Sequence, residues 1–238
     1  MQKISRSGIE KFLSCPRCFV LQYRYRISPN QIPFTLNIAV DELCKNEFDY
    51  YREREEPHPL FLENNIDAVP FKHPDIDKWR DFRRGGLSYI DIDKDFHFYG
   101  AIDDVWKNSD GELIISDVKA TSKQKFDWEE TSKYEYARGY QRQLEMYQWL
   151  FRKNGFVVSD KAYLVYYNGL KNEPMFDQAL KFELHLVEIQ CDDNWVESKI
   201  IEAKNLLIHE NIPNGSKYCD TCQYLKKRWD KYQQIKKL

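Results

Sequence analysis

Apolar residues recur along this chain at two spacings, which divide it into helices and strands. Helical spacing predicts one helix over residues 5–26 and a second from near Pro33 to the charged run before Pro57. Residues 57–86 show no regular period and predict irregular structure ending at Gly85-Gly86. Beyond them the pattern predicts strands at 87–93, 96–106, 112–120, 161–168 and 179–190, and helices at 134–153 and 193–209.

The order of these elements predicts the fold class. Helices come first, an antiparallel meander follows, and a helix then crosses to further strands, which is typical of an α/β (α+β) fold with a central mixed β-sheet flanked by helices. A chain of 238 residues can bury one substantial core, so we expect a single domain over 1–238. Its parts are a helical N-terminal segment (1–60), a core (87–190), and a C-terminal helix with a cysteine-containing basic tail (193–238).

Charged residues interrupt two otherwise apolar strands in the stretch GAIDDVWKNSDGELIISDVKAT, residues 100–121. Between these strands, Ser109-Asp110-Gly111 has the composition of a three-residue hairpin loop with glycine in the left-handed region. Counting inward from this loop places Asp103 opposite Asp117. Side-chain alternation then puts Asp117 and Lys119 on one face with Asp103 beside them, and turns Asp104 to the other face.

Two carboxylates that face each other across strands repel and destabilise the pair. Their β-carbons would lie about 5 Å apart, a separation that one divalent cation can bridge. A salt bridge of Lys119 with Asp103 or Asp117 at the sheet edge is the commoner meaning of an Asp-x-Lys pair. The aspartate at hairpin spacing and the apolar surroundings favour the metal site here.

Composition and charge narrow the class of protein. Aromatic residues make up 15% of the chain and charged residues 31%, as in ordered proteins rather than disordered ones. With 36 basic and 38 acidic residues the formal charge is −2, so any nucleic-acid-binding surface must be local. Two stretches mix cations with aromatic rings, WRDFRRGG (Arg80, Arg83, Arg84) and YLKKRWDKYQQIKKL (224–238). A solvated helix end is the commoner meaning of such a lysine-rich tail.

Six cysteines have to be explained in a chain for which we expect a cytoplasmic location, since no apolar run suits a signal peptide or a membrane span. In that compartment metal binding or free thiols are more common than disulfides. The pairs Cys15-x-x-Cys18 and Cys219-x-x-Cys222 together can supply a tetrahedral set of thiolates, a pattern that by itself favours zinc. Cys44 and Cys191 are expected to be ordinary buried thiols.

Four short motifs, in order, resemble those of the PD-(D/E)XK nuclease superfamily, and within it the RecB-like exonucleases, including the CRISPR-associated ones. GAIDDVW resembles the Gly-x-x-Asp strand of that group and IISDVKAT its Asp/Glu-x-Lys strand. QLEMY matches its Gln-x-x-x-Tyr helix motif through Gln143 and Tyr147, and FLSCPRCF is similar to the start of many of these nucleases. The resemblance implies a restriction-endonuclease-like core and a DNA exonuclease acting in repair, recombination or CRISPR adaptation, with an integrase or a helicase as a further partner.

The resemblance also implies roles for individual residues. Asp103, Asp117 and the backbone carbonyl of Val118 would bind Mg²⁺ or Mn²⁺ as hard oxygen ligands. Lys119 would orient the attacking water or neutralise charge in the transition state. Gln143 and Tyr147, one helical turn apart, would position the substrate or Lys119.

Two departures from the family pattern leave alternatives open. Related nucleases carry a metal-binding histidine on the helix before the sheet, where this chain has Asp41, with Glu42 and Glu47 as weaker substitutes. A catalytically impaired DNA-binding or scaffold subunit is therefore the alternative function. In the iron–sulfur members, one N-terminal cysteine joins three near the C-terminus. This chain has Arg228 or a neighbour in place of the last of these and Cys18 in addition, so an iron–sulfur cluster, which the resemblance favours, and Zn²⁺ are both open.

Overall fold

A computed structural model describes residues 1–30 and 34–236, and the predicted helix start at Pro33 and the tail residues Lys237 and Leu238 lie outside the described residues. The helices are α1 (Arg6–Ser14), α2 (Pro16–Tyr25), α3 (Thr35–Arg54), α4 (Pro59–Glu63), α5 (Ile76–Trp79), α6 (Trp128–Thr131), α7 (Glu135–Lys153), α8 (Val196–Ile208) and α9 (Asp220–Lys236). The strands are β1 (Gln2–Ser5), β2 (Val69–Pro70), β3 (Leu87–Asp91), β4 (Phe96–Gly100), β5 (Asp104–Lys107), β6 (Leu113–Thr121), β7 (Val158–Gly169) and β8 (Phe182–Gln190).

A five-stranded mixed sheet has the order β2-β5-β6-β7-β8. Strands β6 and β7 are parallel, and the other neighbours are antiparallel. A parallel pair needs a long crossover connection, which α7 supplies. The predicted α/β class with a central mixed sheet and flanking helices is confirmed, and it is consistent with a restriction-endonuclease-like fold.

The two faces of this sheet carry different helices. On one face, Cys44 and Phe48 of α3 pack against Trp106 of β5, and this cluster also contains Leu60, Phe61, Ala68, Ile114, Tyr163 and Val165. Phe48 and Trp106 stack with their ring planes 6° apart. On the other face, α7 buries a long apolar stripe that includes Leu144, Leu150 and Phe151. Alternation along β6 thus directs even-numbered residues to α3 and odd-numbered residues to α7.

Contacts divide the chain into two units. One consists of Pro33–Tyr89 and Tyr99–Val196 and holds the five-stranded sheet, α3 and α7. The other consists of Met1–Ile32, Ile90–Phe98 and Glu197–Leu238 and holds α1, α2 and α9. A second sheet has the order β1-β4-β3. The single-domain assignment over 1–238 stays a prediction.

The predicted N-terminal helix over 5–26 is wrong in its continuity. Cys15 is extended (φ −158°, ψ 98°), so α1 ends before it and α2 begins at Pro16. The residue before a proline is disfavoured in the helical region, and proline suits the first helical position. The short strand β1, which precedes α1, was not predicted.

The predicted strand over 96–106 is also broken. It forms β4 and β5, which belong to different sheets, with Ala101–Asp103 between them. The Ile102 amide donates to the carbonyl of Trp79 (3.1 Å) instead of to a neighbouring strand. Gly86, at φ +62°, packs so tightly against the Gly100 carbonyl that a Cβ there would lie 2.3 Å from the oxygen. A tertiary contact, absent from the local pattern, therefore ends the strand.

The predicted basic tail is helical, since α9 covers Asp220–Lys236. Among the described residues, no helix combines the length and the apolar character needed to cross a membrane.

Candidate functional site

The hairpin between β5 and β6 has the predicted register. Val105 pairs with Ile115 and Lys107 with Leu113, so counting outward sets Asn108 against Glu112 and Asp103 against Asp117. The Asn108 amide donates to the Glu112 carbonyl (3.1 Å), which closes the loop. Gly111 takes the left-handed conformation (φ +85°) that the three-residue loop requires. This register places Asp103 directly opposite Asp117.

Asp103 lies at the bend before β5 and contacts the backbone of β6. Its Oδ2 accepts a hydrogen bond from the Val118 amide (2.9 Å). The N–H and C=O groups of one strand residue point to the same side of the strand. The Val118 carbonyl therefore also faces the side of Asp103, where it is available as an oxygen ligand.

Asp117 and Lys119 form a buried ion pair on the α7 face of the sheet, where Lys119 Nζ contacts Asp117 Oδ2. Burial raises the pKa of Asp117 to about 7, with the Lys119 ammonium opposing this shift and Asp103 adding to it. Burial lowers the pKa of Lys119, but the charges of Asp117 and Asp103 outweigh it and raise that pKa. The cluster thus carries more acidic groups than its single ammonium compensates, which favours binding of a cation.

Helix α7 holds the segments that carry Asp103 and Asp117 through the two residues of its Gln-x-x-x-Tyr motif. The Gln143 amide donates to Asp117 Oδ1, and both groups are buried. The Tyr147 hydroxyl donates to the Ala101 carbonyl, two residues before Asp103. Gln143 therefore orients the Asp117 carboxylate directly, and Tyr147 holds the bend that carries Asp103.

Asp41 on α3 lies close to this centre. Its Oδ2 accepts a hydrogen bond from Lys45 (2.7 Å), whereas its buried Oδ1 has no hydrogen-bond partner among the described residues. Burial and the charge of Asp103 raise the pKa of Asp41, against the opposing effect of Lys45. Of the other acidic residues predicted on this helix, Glu42 is exposed and Glu47 pairs with His58 (3.2 Å).

The oxygen donors at this place fit a hard divalent cation. A bound cation would give a partner to the buried Asp41 Oδ1, which has none among the described residues. It would also relieve the mutual repulsion of Asp103 and Asp117. Among the described residues, the four cysteines discussed below form a tighter group than these three carboxylates.

A network of ionic contacts on the opposite face was not predicted from the sequence. Asp104 does turn to this face, as predicted, and its Oδ1 accepts from Arg52 (2.5 Å) and Arg80 (2.8 Å). Arg80 also donates to both oxygens of Asp49 (2.8 and 2.9 Å) and to the Asp103 carbonyl (3.1 Å). The prediction that Arg80 belongs to a nucleic-acid-binding patch is therefore wrong, since its guanidinium is buried among carboxylates. Arg83 and Arg84 are exposed.

The four predicted metal-binding cysteines come together in the other unit. Sγ–Sγ distances are 3.7 Å for Cys15 and Cys222, 3.6 Å for Cys18 and Cys219, and 3.5 Å for Cys18 and Cys222. All four sulfurs lie within 4.8 Å of one another. A tetrahedral ion with metal–sulfur bonds of about 2.3 Å has sulfur–sulfur edges of about 3.8 Å. The set can therefore hold a metal ion.

Backbone groups from the loop before α9 crowd this cysteine cluster. The Ser216 amide donates to Cys15 Sγ (3.4 Å), and a Cβ on Gly215 would lie 2.8 Å from Cys222 Sγ. Burial raises the pKa of the Cys15 thiol, but hydrogen bonds from Ser216 and Cys18 outweigh it and lower the pKa to about 7. Burial and the neighbouring thiols raise the pKa of Cys18. The other two cysteines, Cys44 and Cys191, are buried, as predicted.

A known protein family agrees with this geometry. The family model of the PD-(D/E)XK nuclease superfamily matches residues 36–226. A solved structure titled "Crystal structure of SSO0001" is similar, with 14% sequence identity over 89% of this chain and 78% of that chain and a TM-score of 0.40. A search of curated proteins gave no match. The match of the family model spans most of the chain and includes the two acidic strands and helix α7, and the protein therefore belongs to the PD-(D/E)XK nuclease superfamily.

Proposed function

We propose that the protein is a divalent-metal-dependent DNA exonuclease of RecB-like type. The observation that carries the proposal is the convergence of Asp103, Asp117 and Lys119, with Gln143 bonded to Asp117. Membership of the superfamily implies metal-dependent nuclease activity. A purely structural role would leave unexplained why two aspartates face each other at the end of an apolar hairpin.

The ligands of the catalytic ion would be Asp103, Asp117 and the Val118 carbonyl, with Asp41 in the place of the family's histidine. Carboxylate and carbonyl oxygens suit Mg²⁺ or Mn²⁺. What a bound ion supplies here is Lewis acidity toward the phosphodiester and a lower pKa for the attacking water. The partnerless oxygen of Asp41 supports its inclusion, because an aspartate ligates the same hard cations.

Lys119 is proposed to act on the reacting phosphate. Its ammonium lies on the same face as Asp117, and it stays protonated because the neighbouring carboxylates raise its pKa against the effect of burial. A fixed positive charge at this position stabilises the negative charge that develops on the phosphate oxygens as water attacks. It can also hold the water through a hydrogen bond, because an ammonium has three donors.

Gln143 and Tyr147 are proposed as positioning residues. Gln143 holds Asp117 by its Oδ1, which leaves Oδ2 for Lys119 or for an ion. Tyr147 holds the Ala101 carbonyl and with it the bend that carries Asp103. Groups that orient the ligands of a metal typically change its affinity by about 10- to 100-fold when they are removed.

The finer parts of the proposal depend on the resemblance to RecB-like nucleases. The Gln-x-x-x-Tyr helix and the N-terminal FLSCPRCF segment support exonuclease action, and with it a role in DNA repair, recombination or CRISPR adaptation. DNA is the proposed substrate, and an integrase or a helicase is the proposed partner protein.

The second candidate function, a catalytically impaired DNA-binding or scaffold subunit, is favoured by the absence of the family's histidine. Cleavage by the native chain decides between the two functions, and the variant Asp41→Ala tests whether Asp41 is the replacement ligand. If Asp41 is the replacement ligand, this variant needs more Mn²⁺ for half-maximal cleavage than the native chain. Unchanged metal dependence would mean that Asp41 has only a structural role on α3. Absence of cleavage by the native chain would favour the DNA-binding or scaffold subunit.

For the cysteine cluster we propose a single tetrahedral Zn²⁺ rather than the iron–sulfur cluster that the resemblance favours. Three of the six sulfur separations, at 3.5 to 3.7 Å, approach the edges of one tetrahedral ion, and the others are within 4.8 Å. A four-iron cluster bonds each thiolate to a different iron, which sets the sulfurs farther apart. The close packing of Gly215 against Cys222 also supports the smaller occupant.

The activity is tested with linear DNA, single- and double-stranded, labelled at one end and incubated with Mg²⁺, Mn²⁺ or a chelator. An exonuclease that starts at the labelled end releases labelled mononucleotides, and one that starts at the unlabelled end shortens the labelled strand stepwise. Either activity is expected only in the presence of a divalent ion. Circular DNA of the same sequence is the matched control and is expected to remain intact. Cleavage of the circles would make the protein an endonuclease, and cleavage in the chelator would remove the metal from the proposal.

A further inference from the structure

Tyrosines line the N-terminal half of α7 on the helix face that carries the site residues. Tyr136 and Tyr140 are four residues apart, and Gln143 and Tyr147 continue the series at intervals of three and four, so all four share one face. Tyr134, the residue that caps α7, stacks on Tyr136 with ring centroids 5.6 Å apart and planes inclined by 15°. Tyr136 meets Tyr140 edge to face at 5.8 Å. We call Tyr134, Tyr136 and Tyr140 the tyrosine row.

The tyrosine row extends from the solvent-exposed start of α7 to the ion pair of Lys119 and Asp117. Its outer members are open to solvent, with 52% of Tyr134 and 48% of Tyr136 exposed, whereas Tyr140 is half-buried. At the inner end, Lys119 Nζ lies 4.5 Å from the centroid of the Tyr140 ring. The ion pair of Lys119 and Asp117 comes next. A ligand stacked on the outer rings would therefore continue toward the groups proposed to act on a phosphodiester.

A single exposed aromatic ring is ordinary on a protein surface, but a contiguous set that ends at a reactive centre marks a binding surface. Tyrosine presents a flat apolar ring with little side-chain entropy to lose, which suits it to stacking. Nucleobases stack on such rings whatever their sequence, because every base has a π face.

A cation beside the tyrosine row is free of carboxylate partners within the described part of the chain. Lys123 Nζ donates to the Tyr136 hydroxyl (3.4 Å) and contacts the Thr131 hydroxyl, which are both neutral groups. Nearby cations are already paired, Lys133 with Glu130 (2.5 Å) and Arg142 with Glu135 (2.8 Å). The charge of Lys123 is thus available for a phosphate of a strand whose bases stack on the rings.

We propose that the tyrosine row binds successive unpaired bases, and that single-stranded DNA is therefore the substrate class of the site. The proposal rests on the nuclease function proposed above. In a duplex, the faces of internal bases are covered by their neighbours, so these rings can stack only on unpaired or terminal bases. The tyrosine row would thus hold a single strand beside Lys119 and discriminate against paired DNA.

Binding to two fluorescent probes tests the proposal, a short oligothymidylate and a blunt hairpin duplex, both without added divalent ion so that cleavage does not interfere. The native chain is expected to bind the single strand more tightly than the duplex. Stacking of one base on one ring is worth about 5- to 150-fold in Kd. Tyr136→Ala and Tyr134→Ala should each raise Kd for the single strand by a factor in this range and leave Kd for the duplex unchanged.

Two matched variants separate stacking from other effects. Tyr136→Phe keeps the ring and loses the hydroxyl, and it should bind the single strand within about threefold of the native chain, since stacking needs only the ring. Tyr50→Ala removes an equally exposed tyrosine from α3, where its ring lies against Arg54, and should change neither affinity. Equal affinity of the native chain for both probes, or unaltered single-strand binding in both alanine variants, would overturn the proposal. Failure of the nuclease function would appear separately, as absence of cleavage with Mn²⁺.

Discussion

Replacing Asp104 by asparagine tests whether the ion pairs of Asp104 with Arg52 and Arg80 hold strand β5 in place. The Asp104 carboxylate lies among buried groups, because only 3% of the Arg52 side chain and 7% of the Arg80 side chain are exposed. Its Oδ1 accepts from both guanidinium groups and from the Val105 amide (2.8 Å). Asparagine keeps an acceptor oxygen but removes the charge. Within the described ranges, Asp49, which is partly exposed, is then the one counterion left to the two buried cations Arg52 and Arg80.

The size of the effect follows from these contacts. Breaking a buried ion pair by removing one partner typically costs about 3–5 kcal/mol, because the other charge is left uncompensated. Since asparagine keeps a hydrogen-bond acceptor, we expect the lower end, about 3 kcal/mol. For a chain of this length, 1 kcal/mol shifts Tm by about 2–4 °C, so the expected decrease in Tm is about 6–12 °C.

The assay is urea unfolding followed by tryptophan fluorescence, with Asp103→Asn as the control from the adjacent position. Asp103 is half-buried and accepts one backbone hydrogen bond, which asparagine can also accept, so its replacement should cost less than about 1 kcal/mol. The Asp103 variant should instead lose metal-dependent cleavage. If Asp104→Asn unfolds at the native urea concentration, or if Asp103→Asn is the more destabilised variant, the network does not have the role described here.

Single substitutions test the contacts of Gln143, Asp49 and Cys219. Gln143→Leu should weaken Mn²⁺ binding by about 10- to 100-fold, measured by titration calorimetry, because Asp117 loses the group that orients it; native affinity would contradict this. Burial alone would raise the pKa of Asp49, but Arg52 and Arg80 outweigh it and lower that pKa. The carboxylate therefore stabilises the fold above its unfolded pKa of about 3.9. This stabilisation is lost as the pH falls through the lower pKa of the folded state. Asp49→Asn should therefore cost less than about 1 kcal/mol at pH 7, since Asp49 is 39% exposed. Its urea midpoint should converge with the native one as the pH falls through the lowered pKa of Asp49, and a constant difference would refute the linkage. Cys219→Ser should lower Tm and remove the bound metal, whereas protein purified with about four irons and sulfide per chain would contradict the zinc assignment.

The register of the acidic hairpin could be predicted because the information is local. The loop Ser109-Asp110-Gly111 determines which residues face each other, and strand alternation then separates Asp104 from Asp117. The partners of Asp104 could not be predicted in the same way. Arg52 and Arg80 are 52 and 24 residues away in sequence, and nothing in the spacing of either arginine indicates that it is buried.

Two features that the pattern of apolar residues did not predict nevertheless have a signal in the sequence. Pro16 marks the break between α1 and α2, because a residue before proline disfavours the helical region. The tyrosine row also has a readable signal, since Tyr136 and Tyr140 extend the spacing of Gln143 and Tyr147 along one helix face. The break between β4 and β5 had none, because it depends on the hydrogen bond from Ile102 to Trp79.

The central claim is that Asp117 and Lys119 act together in metal-dependent hydrolysis of DNA. The most direct measurement is the initial rate of nucleotide release from end-labelled single-stranded DNA at saturating Mn²⁺, for the native chain, Asp117→Asn and Lys119→Met, each first shown to be folded by circular dichroism. The native chain should cleave only with added divalent ion, and both variants should be at least about 100-fold slower, because one loses a ligand and the other a charge that stabilises the transition state. Cleavage by either folded variant at the native rate, or cleavage by the native chain in the absence of divalent ions, would contradict the account.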